Sequence, residues 1–295
     1  MTKNSMRKLA IGALALFLIA GLCLSSLDAT AKYLVRDHAL FLVVWARYAG
    51  QMLVATPFAW QRGGDGFWRT RKLALQLARS TLLLIATVFF FAALRYVPLA
   101  EGSAINFLAP VFVVLLSGLV LGERPSAARW AASVAGFVGV LIVTRPGSAI
   151  FHPAALLLIV TALCNALYLM LTRKLADESA HTTLFYSALV GTVLLTLALP
   201  WVWTPTMLSW RQGAPFVLLG LFAGAGHWFV IGAYRDAPAS LLTPFTYLQM
   251  IWAIMYGYLV FDQLPDGVSV LGMGVIVASG LFLALQERWS RRARR

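Results

Sequence analysis

Phe89-Phe-Phe-Ala-Ala-Leu-Arg-Tyr-Val-Pro98 returns 140 residues later as Phe229-Val-Ile-Gly-Ala-Tyr-Arg-Asp-Ala-Pro238, with phenylalanine, alanine, arginine and proline in matching places. Carried on without a gap, the same offset pairs Leu108 with Leu248, Leu119 and Val120 with Leu259 and Val260, Pro125 with Pro265 and Leu141 with Leu281. A weaker match at offset 141 sets Leu22, Cys23, Lys32 and Leu34 on Leu163, Cys164, Arg173 and Leu175. Each copy runs through five apolar segments. An odd number of crossings makes the second copy enter from the opposite side, so the expected architecture is an inverted repeat with a substrate site near the bilayer midplane between the halves.

Composition agrees: 60% of the 295 residues are hydrophobic and 12% charged, a balance that a water-soluble surface of this size does not carry. A crossing helix needs about 20 apolar residues. The chain supplies ten such segments, roughly 9–31, 38–60, 75–94, 99–120, 127–144, 153–172, 182–203, 213–233, 238–260 and 267–286. The expected fold is therefore an all-α membrane protein of ten transmembrane helices, with residues 1–146 and 150–289 as two inverted five-helix halves and 290–295 as a basic tail. Met1 to Ala20 has the basic-then-apolar order of a signal peptide but no cleavage site before polar sequence, and reads as the first span.

The net charge of +13 is sorted by side of the membrane. Seventeen basic residues fall in segments 1–8, 61–72, 122–129, 173–174, 235 and 288–295, against Lys32, Arg36, Arg95, Arg145 and Arg211 in the alternate loops. Such a bias places both termini in the cytoplasm and makes the lipid bilayer, not nucleic acid, the partner of the basic tail. The loop after the fourth helix of each copy has been re-charged to match. Arg124 and Arg129 stand in the first, Asp262 and Asp266 in the second.

Chemical motifs are scarce. No phosphate-cradling or nucleophile-elbow string occurs, so neither a self-contained ATP-driven pump nor a familiar hydrolase is expected. His38, His152, His181 and His227 are scattered, which argues against a membrane enzyme, and no repeated selectivity-filter segment suggests a channel. Cys23 and Cys164 sit inside spans, where packing rather than a disulfide or a metal is expected; no cofactor is implied.

Polar groups inside hydrocarbon point to a cavity. Asn106 lies four residues before Pro110, whose missing amide proton frees the Asn106 carbonyl and permits a bend. Pro244 does the same to Ser240, but six residues after Pro238 rather than twelve after Pro98, so the two copies are expected to bend at different depths. His227 and Trp228 follow the small-residue run Gly220 to Gly224, and either line the cavity or pack. Of the aromatic residues, Trp60, Trp68, Trp201, Trp203, Trp210 and Trp289 fall at span ends as an interfacial belt. Phe107, Tyr168, Phe245, Tyr247 and Trp252 lie nearer mid-span and are candidates for an apolar pocket wall. Arg47 reads as a structural charge with Glu101 and Asp28 as its expected partners, and these two are the only acids at or inside span limits.

Val97-Pro-Leu-Ala-Glu-Gly-Ser-Ala-Ile-Asn-Phe-Leu-Ala-Pro110, with Leu121-Gly-Glu-Arg-Pro125, Gly136-Phe-Val-Gly139 and the arginine of Trp45-Ala-Arg-Tyr48, resembles the EamA domain of the drug/metabolite transporter superfamily. The second copy departs from it, with Phe261-Asp-Gln-Leu-Pro265 at the turn and Ser187 at the arginine position. The wording is most like that of the bacterial aromatic amino acid exporters. That resemblance implies a multi-pass inner-membrane transporter, a monomer and not an enzyme, that exports aromatic or other bulky neutral amino acids by alternating access. Proton-coupled export of other metabolites or drugs is the alternative, though helix 1 has no glutamate at its centre.

Overall fold

The computed structural model describes residues 3–121, 126–148, 151–202, 210–236 and 242–293, the side chains of 3–11, 118, 121, 210–212, 231, 234–236, 243–244 and 283–293 excepted. The turn at 122–125, Pro238, Ser240, Trp203 and the side chains of Tyr234, Arg235, Pro244 and the basic tail lie outside what is described.

All regular structure among these residues is helical: α1 Lys3–Asp37, α2 Leu40–Gly63, α3 Leu73–Leu94, α4 Leu99–Asn106, α5 Ala109–Leu121, α6 Ala127–Thr144, α7 Ala155–Lys174, α8 Ala180–Val202, α9 Trp210–Asp236, α10 Leu248–Phe261 and α11 Gly267–Ala293, with short 3-10 turns at Gly64–Gly66 and Thr243–Tyr247. Seven of the described segments are long and apolar enough to cross a membrane, with Phe245–Phe261 and Gly267–Phe282 as shorter apolar helices. The 24-residue α2 falls outside both groups, because Arg47, Gln51, Gln61 and Arg62 dilute its apolar run.

The expected fourth span is two helices. Pro110 cannot donate to Asn106, so the ladder shortens: Phe107 N bonds Ser103 O and Ala104 O, Leu108 N bonds Ile105 O, and the helix restarts with Val111 N and Phe112 N on Leu108 O. The second copy is irregular at Thr243–Tyr247 and regular again from Leu248, which is the repeat partner of Leu108. The halves therefore resume their helices at one level. The irregular stretch itself differs between the copies, at 107–108 in the first and at Thr243–Tyr247, the repeat equivalents of 103–107, in the second.

Packing joins the two halves rather than closing each on itself. The main contacts pair α1 with α9, α6 with α11, α2 with α8 and α3 with α7, with α2 also against α9 and α1 against α10. Lipid tails are as apolar as the helices, so association depends on close van der Waals approach, which small residues allow. A Cβ placed on Gly50 of α2 would sit 2.4 Å from the Gly220 Cα of α9, and one on Gly220 would sit 2.6 Å from the Gly50 Cα. Between α6 and α11, a Cβ on Gly139 would meet the Gly272 carbonyl at 2.9 Å.

At the end of the bundle opposite the α2–α3 loop, Arg145 takes a left-handed conformation (φ 44°) after α6 and pairs with Asp266, whose carboxylate also accepts from Ser269 N at 2.9 Å to cap α11. The hydrogen bond from Arg145 holds the Asp266 carboxyl well below the usual carboxylate range, and the Ser269 backbone bond adds to it. Glu101 joins the cluster by accepting from Ser269 Oγ at 3.4 Å. Lys32, counted above with the outer loops, is instead inside α1 and 2% exposed; its Nζ donates to Leu94 O (2.9 Å) and Val97 O (2.6 Å), capping the end of α3 with a cation.

Gly50→Ala forces α2 and α9 apart and is expected to lower stability by about 1–3 kcal/mol, read as a drop in melting temperature by fluorescence-detected size exclusion. Gly274→Ala, with no atom within 4 Å of the added Cβ, is expected to leave that temperature unchanged or raise it. Equal effects would contradict the packing described.

Candidate functional site

Where α1, α2, α3, α7 and the broken helices meet, a cavity of about 160 Å³ opens at mid-depth. Leu24, Leu27 and Asp28 of α1, Arg47 of α2, Leu83, Ala86, Thr87, Phe90 and Phe91 of α3, Asn106 of α4, Thr161 and Asn165 of α7, and Gln249 of α10 line it. A second cavity of about 170 Å³ adjoins it through Leu24 and Gln249, with Phe17, Ala20, Gly21, Val230, Phe245 and Thr246 around it. The second cavity is walled mainly by apolar and aromatic residues, whereas the first sets Leu24, Leu27, Leu83, Ala86, Phe90 and Phe91 against seven polar or charged side chains. Apolar walls on which polar groups converge are the usual make-up of a small-molecule site.

Arg47 is 4% exposed, lies 4.4 Å from the centre of the Tyr48 ring, and leaves Nη1 without a hydrogen-bond partner. Asp28 faces the same space, yet the ion pairs of the described residues are elsewhere, at Lys72–Asp177 and Arg145–Asp266. The expected pairing of Arg47 with Glu101 is corrected: Glu101 lies with Ser269 at the end of the bundle. A guanidinium and a carboxylate thus share one cavity without neutralising each other by contact, each holding hydrogen-bonding capacity for a ligand.

Asn106 reaches the cavity because the helix stops there, and its Oδ1 accepts from Asn165 Nδ2 at 2.8 Å. This pair leaves the Asn106 amide hydrogens and the Asn165 carbonyl for a ligand. Thr161 donates to Leu157 O (3.0 Å) and Ala86 O (3.3 Å), and Thr87 shares a 3.1 Å bond with the Tyr48 hydroxyl.

The other sequence candidates divide. Phe245 lines the second cavity. Phe107 and Tyr247, partners in the repeat, lie ring against ring at 5.1 Å, and Tyr247 packs on Gly280, so both serve the contact between halves. His227 Nδ1 is 2.8 Å from Ala223 O, within its own helix. Trp228 is 47% exposed and lies on Phe58 at 4.9 Å, outside both linings, because its position on α9 turns it away from α1 and α3. Tyr168 is also outside the linings; it is occupied by Arg79.

Arg79 is the residue that the sequence reading passed over. It is 4% exposed in the half of α3 nearer the α2–α3 loop and donates from Nε to Thr172 Oγ1 (2.6 Å), from Nη1 to Ser187 Oγ (2.7 Å) and Thr183 O (3.3 Å), and from Nη2 to Tyr168 Oη (2.6 Å), with the Tyr168 ring 4.3 Å away. A signal existed. Gln76, Arg79, Ser80 and Thr87 share one face of α3, and Thr161, Asn165, Tyr168 and Thr172 one face of α7 at spacings of three and four, as polar stripes through apolar helices. Among the described residues no group of histidine, cysteine or acids is placed to hold a metal.

Comparison with known proteins accords with this geometry. The EamA-like transporter family matches residues 11–145 and again 152–285. The chain is 27% identical over 289 residues to an S-adenosylmethionine uptake transporter of Rickettsia prowazekii, covering 97% of each, and 31% identical over 284 residues to a riboflavin transporter of Vibrio cholerae, covering 94% of each. A solved crystal structure at 20% identity covers 97% of this chain and 99% of its own with a TM-score of 0.65, showing a shared fold. With nearly all of both halves matched, the chain belongs to the EamA-like transporter family and is a multi-pass membrane transporter, not an enzyme.

Proposed function

We propose that this transporter carries a small metabolite that joins an amino-acid head group to a flat or bulky apolar part. Asp28 takes the ammonium, Arg47 Nη1 the carboxylate, and the Asn106–Asn165 pair the polar edge, while Phe90 and Phe91 hold the apolar part. The observation that carries this reading is a carboxylate and a guanidinium facing one cavity, with Phe90 and Phe91 beside them, without pairing. Aromatic amino acids match the first cavity in scale. The two cavities joined just exceed the ~300 Å³ at which sites for larger ligands begin. That would suit S-adenosylmethionine, which has the same head group and which several relatives take up. Riboflavin, the cargo of other relatives, lacks that head group and leaves both charges unmet.

The halves 1–146 and 150–289 are the two inverted units, crossing ten times with both termini in the cytoplasm. The odd number of crossings in each half and the sorting of basic residues support the inversion and the orientation, and three observations support a two-fold relation between the halves. Exchange of the repeats turns the α1–α9 contact into the α7–α3 contact and returns α2–α8 and α6–α11 to themselves. Phe107 lies against Tyr247, its own counterpart at offset 140. Gly136 faces Ser279 while Gly139 faces Ile276, a pair of contacts that the same offset interchanges. Charged cargo cannot cross such a unit except through the midplane cavity, so alternating exposure of that cavity is the transport step. Direction then follows the substrate gradient or the exchange partner.

The purified protein in liposomes preloaded with unlabelled compound is expected to exchange labelled phenylalanine, tryptophan or S-adenosylmethionine, and not riboflavin or a sugar phosphate. Asp28→Asn, Arg47→Met and Asn106→Leu should each slow exchange about tenfold or more per folded transporter, as expected for loss of a charged or buried hydrogen bond. Arg47→Lys, which keeps charge but not the fork, should retain part of it. Exchange of riboflavin alone, or full activity in all three variants, would refute the assignment. Alkaline phosphatase fused after residue 148 or 266 should be active, and after 66, 178 or 295 inactive; any reversal would defeat the topology.

A further inference from the structure

Buried polar atoms without hydrogen-bond partners are concentrated on two helices, although Arg145 Nε, Trp252 Nε1 and Gln263 Oε1 lie elsewhere. Arg47 Nη1, both amide atoms of Gln51 and the Thr56 hydroxyl on α2, with the Gln76 carbonyl oxygen and the Ser80 hydroxyl on α3, are of this kind. Gln51, Gln76 and Ser80 are each 0% exposed. The bond between Tyr48 and Thr87 sets these two positions at one level of the antiparallel pair. Gln51, Thr56, Ser80 and Gln76 consequently all lie on one side of that level, between the cavity and the loop 64–72 that joins α2 to α3. Arg79 stands in the same stretch.

Unsatisfied buried groups are rare and need a physical reason, and inside a membrane span polar side chains mark a path for cargo or ions. Arg79 sharpens the case. Its acceptors are three hydroxyls and a backbone carbonyl, which fix its orientation and leave its charge in place. Two guanidiniums on one side of the bundle, with no ion pair to either among the described residues, make that region attractive to an anion.

We infer that α2 and α3 line an inner passage, closed in this structure, in which Arg79 is a second station for the carboxylate that Arg47 holds in the cavity. Opening the passage would hydrate Gln51, Ser80 and Gln76 or bring them to the passing head group, supplying the bonds they lack here. The inference rests on the transport function proposed above.

The test uses the full chain with Cys23→Ala and Cys164→Ala, carrying either Ser80→Cys or Gln51→Cys, in inside-out membrane vesicles. The probes are a sulfonatoethyl and a trimethylammonium-ethyl methanethiosulfonate, each rate normalised to that with free mercaptoethanol. Both cysteines are expected to react from the side of the α2–α3 loop, the anionic reagent about tenfold faster. Arg79→Lys should preserve that ratio, and Arg79→Gln should lower it severalfold, leaving only the share due to Arg47. Absence of labelling from that side at both positions in protein that elutes as folded would overturn the passage, and a ratio indifferent to Arg79→Gln would overturn the station. Neither reagent is a substrate. Failure of the exchange panel with charge-selective labelling intact would therefore refute the zwitterionic cargo and sustain the passage.

Discussion

A guanidinium within hydrocarbon has to be solvated by protein, and Arg79 meets that requirement at the seam between the two halves. Its hydrogen bonds tie α3 of the first half to α7 and α8 of the second through Tyr168, Thr172, Thr183 and Ser187. Ser187 occupies the repeat position of Arg47. A cation on α2 is thus answered on α8 by a small hydroxyl that receives a cation from α3, and the two halves share the polar interior unequally. So long as these bonds hold, α3, α7 and α8 move together. Departure of any one of the three strands charge in an apolar medium, which is the physical reason that rearrangement here requires something else to take the acceptors' place.

The bundle around this seam is held by close approach. Gly50 against Gly220 and Gly139 against Gly272 bring helix backbones into contact without any net gain from hiding apolar surface, since lipid would serve that surface equally well. The cavity exists because α4 stops short. Had the helix continued through Phe107, Asn106 would present its backbone carbonyl to the following turn, and its side chain would lack the space now shared with Asn165.

The two ends of the bundle are fastened by exposed ion pairs. Lys72 meets Asp177 at 2.6 Å near the α2–α3 loop, and Arg145 meets Asp266 at the other end. The Lys72 hydrogen bond lowers the Asp177 carboxyl, as Arg145 lowers that of Asp266. Exposed pairs contribute at most about 1 kcal/mol. They can hold one end shut and still be broken by modest differences in binding energy, which suits the proposed alternation of access between the two ends.

The helical class, the break at Pro110 and the repeat were legible because each follows from a local or periodic rule: apolar run length, the missing proline donor, an offset match of 140 residues. Asn106 was legible as a polar side chain four residues before a proline. Other features are decided only by contacts between segments far apart in the chain. Glu101 and Asp28 looked equivalent as partners for Arg47, but α4 turns Glu101 toward Ser269, 168 residues away, and leaves Asp28 in the cavity. Tyr168 looked like a pocket wall until Arg79 claimed it. A helix sequence shows that a side chain is polar and at what depth it lies. Whether that side chain faces a cavity, a neighbouring helix or lipid depends on rotation about the helix axis, and in lipid, which treats all apolar faces alike, only packing against the other helices sets that rotation.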